Sequence, residues 1–390
     1  MASSRHKLKS RIDFPFSAFI VAFIIFLLTP PMFMWNALKA SYLYRFLLSG
    51  ILLIAIAPHF NFKRVYTKYS IVLYVLTIIF YVTGDFTFLS LLVTMMLSTI
   101  YFVDKSFLRL IFNAYTFLIS ILLVPSIIQF ILVLLGADFS YVVLNPYVEA
   151  KDEVYRAYTF FTTSSDTFSL FPRFMSYFDE PGVLGSICAI ILYIRKYNLK
   201  DIINIPFFIA GLLSFSLYFY IVTFVFLILY ISGFKRIIVS LFLLVSLISL
   251  SSLENEILNQ YIFDRIEYDE VEGISGNNRT VGDFDEWFNK YKKTGDAVLG
   301  YGRGSKQLYN PGGASYKDRI VEYGYLGFGL YLIMMILMGY SIYRKHLKTF
   351  LLFLFLYLSM LWQRPFIIDV AYMMLFLFIT FLMEDNKIKR

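Results

Sequence analysis

The run LRLIFNAYTFLISILLVPSIIQFILVLLG, from Leu108 to Gly136, decides the fold class. Its one charge is Arg109, and at about 1.5 Å per residue a helix of this length exceeds the roughly 30 Å hydrocarbon core of a bilayer. Comparable apolar runs lie near Phe14–Met34, Ser41–Pro58, Tyr69–Val82 and Phe86–Val103 before it. After it come Pro181–Ile194, Ile202–Phe215, Leu217–Ile231, Ile237–Ser251, Ile320–Tyr340, Phe350–Trp362 and Pro365–Met383. The expectation is an all-α, polytopic transmembrane helical bundle of about twelve spans.

Composition agrees. Of the 390 residues, 59% are hydrophobic and 20% aromatic but only 16% charged, with mean hydropathy +0.68. A soluble globular enzyme carries about a quarter charged residues. The unbroken apolar runs exclude an outer-membrane barrel, whose strands alternate apolar and polar positions. The net charge of +8 reflects topology rather than nucleic-acid binding, because most basic residues fall in short loops on one side. That side is the inner one by the positive-inside rule, which places both termini in the cytoplasm. The single cysteine, Cys188, lies in an apolar run and excludes an internal disulfide.

The expected organisation is five spans in residues 1–136, a large outer loop in 137–180 and four spans in 181–251. A second large outer loop fills 252–318, and residues 319–390 hold three further spans and an inner tail. The two long polar segments are where chemistry is expected, since a rigid bundle can position reactive loops. All three histidines, His6, His59 and His346, fall on the inner side and offer no outward base.

The first loop is rich in aromatic residues and ends in Arg173-Phe174-Met175-Ser176-Tyr177-Phe178-Asp179-Glu180-Pro181. Pro181 suits a first helical position, which puts Glu180 at the N-cap. The following helix is short for a span, so Glu180 is expected in a recess, with Arg173 its nearest cationic partner. There the helix dipole favours the ionised carboxylate, which orients a hydroxyl better than it deprotonates one.

The second loop carries Gly300-Tyr301-Gly302-Arg303-Gly304-Ser305-Lys306. A glycine-rich turn with two cations can offer backbone N–H groups to an anion such as pyrophosphate, or can simply shape a turn. Upstream, Phe284, Trp287, Phe288 and Tyr291 share one helical face, with acids in the first turn and lysines in the last. This amphipathic helix is expected to lie on the outer leaflet, to lid a substrate, or to pack on the bundle. Asp283 and Asp285 diverge by about 200° on it, which argues against a metal pair. In the next span Arg319 and Glu322 are three apart and can pair, and Arg364 sits at the last outer turn.

The combination of Phe178-Asp179-Glu180-Pro181-Gly182, Gly300-Tyr301-Gly302-Arg303-Gly304-Ser305 and Glu322-Tyr323-Gly324-Tyr325-Leu326-Gly327 resembles the Wzy-type O-antigen polymerase family, part of a wider group with the O-antigen ligases. The resemblance implies a metal-independent, inverting glycosyltransferase without cofactor at the periplasmic face of the bacterial inner membrane. It would transfer a growing glycan from undecaprenyl pyrophosphate to a hydroxyl of an incoming lipid-linked repeat unit, for lipopolysaccharide or another polysaccharide. Under that reading Arg173, Glu180, Arg303, Arg319 and Glu322 are the candidate catalytic residues, expected in one outward pocket. Arg156, Tyr177, Tyr301, Lys306 and Arg364 are candidates for binding substrate. Expected partners are the lipid-linked oligosaccharides, membrane lipid and a chain-length regulator, with no nucleic acid. Gly313-Ala314 stands where ligases carry a histidine, favouring polymerase over ligase. A flippase is the remaining alternative, disfavoured because the span centres hold almost no charge.

Overall fold

The structure is a computed structural model. It describes residues 14–29, 42–64, 66–83, 87–144, 155–164, 173–230, 268–269, 273–274, 282–302, 305, 315–367 and 369–383. The expected span Ile237–Ser251 lies outside them, as do Arg303 and Lys306.

Thirteen α-helices form among the described residues. In chain order they are α1 (Phe16–Leu28), α2 (Tyr42–Ile56), α3 (Thr67–Val82), α4 (Phe88–Ser98), α5 (Lys105–Leu134), α6 (Pro181–Ile194) and α7 (Asn204–Leu213). Then follow α8 (Leu217–Tyr230), α9 (Gly282–Tyr291), α10 (Asp296–Leu299), α11 (Tyr316–Tyr343), α12 (Leu347–Gln363) and α13 (Val370–Leu382). The first large loop adds a short antiparallel sheet, β1 (Val142–Leu144), β2 (Tyr155–Ala157) and β3 (Thr162–Ser164), in that order. Val143 pairs with Arg156, and Arg156 with Thr163. A two-residue hairpin, β4 (Tyr268–Asp269) and β5 (Gly273–Ile274), follows later.

Two helices, α5 with 30 residues and α11 with 28, are long and apolar enough to cross a membrane. Nine other apolar helices run to 10–17 residues. The runs read as spans therefore form helices with nearly the expected bounds, but several stop early. After α2 and α4 the chain tightens into 3₁₀ turns, Ala57–His59 and Thr99–Phe102, that end the α-helical rise.

The chain folds as two compact units. One contains Met1–Ile121, Phe288–Tyr309 and Tyr316–Arg390. Its centre is α13, buried along its whole length as expected of a helix apolar on every side. Phe112 and Tyr357 meet α13 at Phe378 and Phe376, and the Tyr343 hydroxyl donates to the Ile379 carbonyl at 3.2 Å. The other unit contains Leu122–Trp287 and Asn310–Ser315. There α6 is buried from Val183 to Ile194 and packs on α7 and α8, with Gly185 against Ser216. Phe130, Phe161 and Phe174 form an aromatic cluster beneath the sheet.

A polar corner fixes the start of α5. Asp104 accepts from the Ser106 backbone at 2.8 Å and from the Ser106 hydroxyl, from Asn61 at 3.1 Å, and pairs with Arg64 at 2.8 Å. Partial burial works to raise its pKa, but the Ser106 and Asn61 hydrogen bonds and the Arg64 charge outweigh this and bring it down to about 2. The ionised form therefore contributes its full stabilisation above the ordinary value of 3.8, and that contribution fades as pH falls toward 2. After discounting for partial exposure it amounts to about 1–2 kcal/mol. Asp104→Asn should lower the thermal unfolding midpoint in detergent at pH 7, with the gap to the parent closing near pH 2. A gap independent of pH would show that the charge contributes nothing.

Candidate active site

The opening turns of α11 and the end of α12 place four charged groups inside the first unit. Asp318, Arg319 and Glu322 are all buried, and so is Arg364 at the C-cap of α12. Tyr316 stacks on Trp362 at 4.8 Å, which sets the Arg364 end of α12 beside the start of α11. Arg319 Nη1 lies 2.5 Å from Glu322 Oε2, the local pair expected from their spacing. The Arg319 guanidinium also lies 5.9 Å from the Tyr323 ring centre, and Tyr323 stacks on Phe80 of α3 at 4.2 Å. The pair is thus held by aromatic packing on a rigid helix. Asp318, Arg319, Glu322 and Arg364 together sum to zero formal charge.

Glycines join the second loop to this helix. Gly324 interrupts α11 with φ 68° and ψ 169°, and Gly300 has φ 78°. A Cβ on Gly324 would lie 2.2 Å from the Val298 carbonyl oxygen, and one on Gly300 would lie 2.4 Å from the Gly324 nitrogen. Only two glycines permit this approach. It lets the Tyr301 N–H donate to the Val321 carbonyl at 2.7 Å and the Gly302 N–H to the Glu322 carbonyl at 2.9 Å, while Gly300 donates to Asp296.

Of the two roles open to this glycine-rich turn, its first residues take the shaping one. The N–H groups of residues 300–302 are committed to the protein's own carbonyls, so any anion contact from this loop must come from further along. Ser305 beyond it is buried. Helix α9 takes the packed alternative: Phe284, Phe288 and Tyr291 of its apolar face are buried inside the protein. Lys317 reaches the Phe288 ring at 5.9 Å. Burial, with the charges of Tyr301, Asp296 and Tyr325 adding to it, pushes the Tyr291 phenol up to about 12.

The second unit contains Arg156, Arg173, Tyr177 and Glu180. Arg173 donates from Nε to the Ser214 carbonyl and from Nη2 to the Phe215 carbonyl, each at 3.2 Å. It closes the C-terminal end of α7, where unmatched carbonyls and the negative end of the dipole favour a cation. The sequence offered no sign of this, because the helix it caps lies 40 residues downstream. Glu180 stands at the N-cap of α6 with extended backbone, as expected, but its side chain makes no capping hydrogen bond. Between them, Thr162 donates twice to the Ser176 carbonyl at 2.8 Å, and Ser126 donates to the Ser176 hydroxyl at 2.9 Å. Burial pushes the Tyr177 phenol up to about 12, so it remains a hydrogen-bond donor at neutral pH. Phe161, Phe174 and Phe178 are core residues rather than open platforms. The Arg156 guanidinium lies 5.0 Å from the Tyr141 ring centre on the sheet.

The structure therefore brings together Arg319, Glu322 and the Tyr301 backbone, with Arg364 at the same end of the helix pair. Arg173, Tyr177 and Glu180 lie on one short segment of the other unit. Asp318 and the Gly300–Gly324 contact went unassigned in the sequence. Its signal was a glycine inside an apolar run, answered by glycine 24 residues earlier, but proximity is not written in spacing.

Two outcomes follow. Gly324→Ala and Gly300→Ala should each cost about 1–3 kcal/mol through strain at positive φ, read as a lower unfolding midpoint. Gly329→Ala, with open space around it, should leave the midpoint unchanged or higher. Arg319→Ala should cost about 3–5 kcal/mol by leaving Glu322 buried without its partner, whereas Arg319→Met combined with Glu322→Leu should recover most of that loss. Equal losses in the single and double variants would mean that packing, not charge, holds this helix end.

No family model, curated protein or solved structure matches the chain.

Proposed function

We propose that the chain is a multi-pass bacterial inner-membrane glycosyltransferase that polymerises oligosaccharide repeat units carried on undecaprenyl pyrophosphate. The described helices and the outlying apolar run would together form the bundle of about twelve spans, with both large loops periplasmic and both termini cytoplasmic. The observation that carries the reading is the buried Arg319–Glu322 pair at the glycine-joined end of α11, with Asp318 and Arg364 alongside. Charges sequestered at the end of an apolar span are costly and mark functional sites.

In this reaction an acceptor hydroxyl oxygen bonds to the anomeric carbon of the growing glycan. The bond from that carbon to the pyrophosphate oxygen breaks, and its electron pair leaves with the pyrophosphate. The hydroxyl proton passes to a carboxylate, for which the sequence offers Glu180 and, in reserve, Glu322; Glu322 is the one in the same unit as Arg319 and Arg364. Negative charge grows on the departing pyrophosphate, and preorganised arginines in a water-poor site stabilise it most strongly. Arg303 suits this role by sequence position, and Arg319 and Arg364 by burial. Arg173, as an anchor of the α7 end, would act by fixing the segment that carries Tyr177 and Glu180. Pyrophosphate is a good leaving group, so the scheme requires neither metal nor strong base.

The surface glycan of the host strain tests the proposal. Deletion should leave surface lipid capped with single repeat units, and the parent chain should restore the ladder. Arg303→Ala, and the Arg319→Met/Glu322→Leu double variant, should restore only single-unit caps while reaching the membrane at parental levels. Complete loss of exported units on deletion would point instead to a flippase, and a full ladder from both variants would remove these residues from the mechanism.

A further inference from the structure

Beyond Gly324, α11 presents two distinct stripes. Phe328, Tyr331, Met335 and Met338 face inward, while Leu326, Ile333 and Tyr340, seven residues apart, form an exposed apolar stripe. The straight part, 325–343, is roughly 28 Å long, close to one bilayer core. The Gly300–Gly324 contact holds α10 against the upper end of this helix, and α10 is itself exposed there: Leu299 is 71% accessible and Val298 51%. Tyr301 and Tyr325, 42% and 45% accessible, stand next to them. The Tyr301 hydroxyl turns to Asp296, donating at 3.2 Å, so one ring joins an apolar edge to a polar tip. A loop in water has no reason to display Val298 and Leu299 outward while its neighbouring glycines are fixed in place.

We propose that Val298, Leu299, Tyr301, Tyr325 and Leu326 form a lipid-facing anchor that seats α10 in the acyl–headgroup boundary of the outer leaflet. The occupant is bilayer lipid, because the patch continues the exposed stripe of the spanning helix and ends in tyrosines, which favour this depth. The inference rests on the membrane-embedded reading above and adds to it that the second loop is tied to the bilayer surface beside Glu322. A lipid-linked substrate moving along that leaflet would meet the loop at the depth of its own pyrophosphate.

Nitroxide labelling tests this in the full chain with Cys188→Ser, reconstituted into phosphatidylethanolamine–phosphatidylglycerol vesicles. Labels at Leu299→Cys, and separately at Val298→Cys, should collide with oxygen far more than with a water-soluble nickel chelate, matching a label at Ile333→Cys. A label at Asn289→Cys on the exposed side of α9 should show the reverse. If both α10 labels behave like Asn289 while Ile333 reads as lipid-exposed, the anchor is wrong and the spanning helix stands. If Ile333 also reads as aqueous, the membrane reading falls with it. Spin–spin broadening at Leu299 that disappears on dilution with unlabelled protein would assign the patch to a second copy and overturn the proposal.

Discussion

The first unit's charged end depends on how closely two backbones can approach. Gly300 and Gly324 meet where any side chain would collide with a peptide group, and both adopt positive φ. That approach gives Val321 and Glu322 carbonyls, freed by the break in α11, new donors in Tyr301 and Gly302. A helix interrupted inside an apolar environment must satisfy such groups from elsewhere, since water is not available to do so. The loop supplies them, and in return its own course is set by the helix. The kink and the loop are therefore one structure.

On that foundation the charged groups become intelligible. Arg319 lies between a carboxylate and an aromatic ring, and Tyr323 is held by Phe80 of a neighbouring helix. A compact salt bridge in such surroundings adds little net stability compared with apolar side chains of the same size. Under the proposed function, an arginine already desolvated and oriented would meet a polyanion with little reorganisation. In the other unit the same residue type has a quite different use, since Arg173 spends its donors on the end of α7. Equivalent cations in sequence become unequal once their partners are known.

Helix positions were legible because apolar runs and their flanking Pro, Gly and charged residues are local signals. Pro181 opens α6, directly beside the helix start that it determines. The Arg319–Glu322 pair was readable for the same reason, being one helical turn apart. What escaped was non-local. The carbonyls that hold Arg173 lie about forty residues ahead, the glycine contact joins a loop to a later helix, and Phe161 of the first loop packs against Phe130 of α5 and Phe174. Composition fixed how apolar the helices are; Pro58 marks the 3₁₀ ending after α2, whereas Thr99–Phe102 after α4 contains neither proline nor glycine.

The position of α13 has an implication for biogenesis. It is the hub of its unit, yet it follows α1, α11 and α12, the helices packed around it, in order of synthesis. Those earlier helices cannot bury the faces they turn toward α13 before it is synthesised. Closure of the unit around α13 is therefore a late step in its folding, and the earlier helices present uncovered inward faces until α13 has been made.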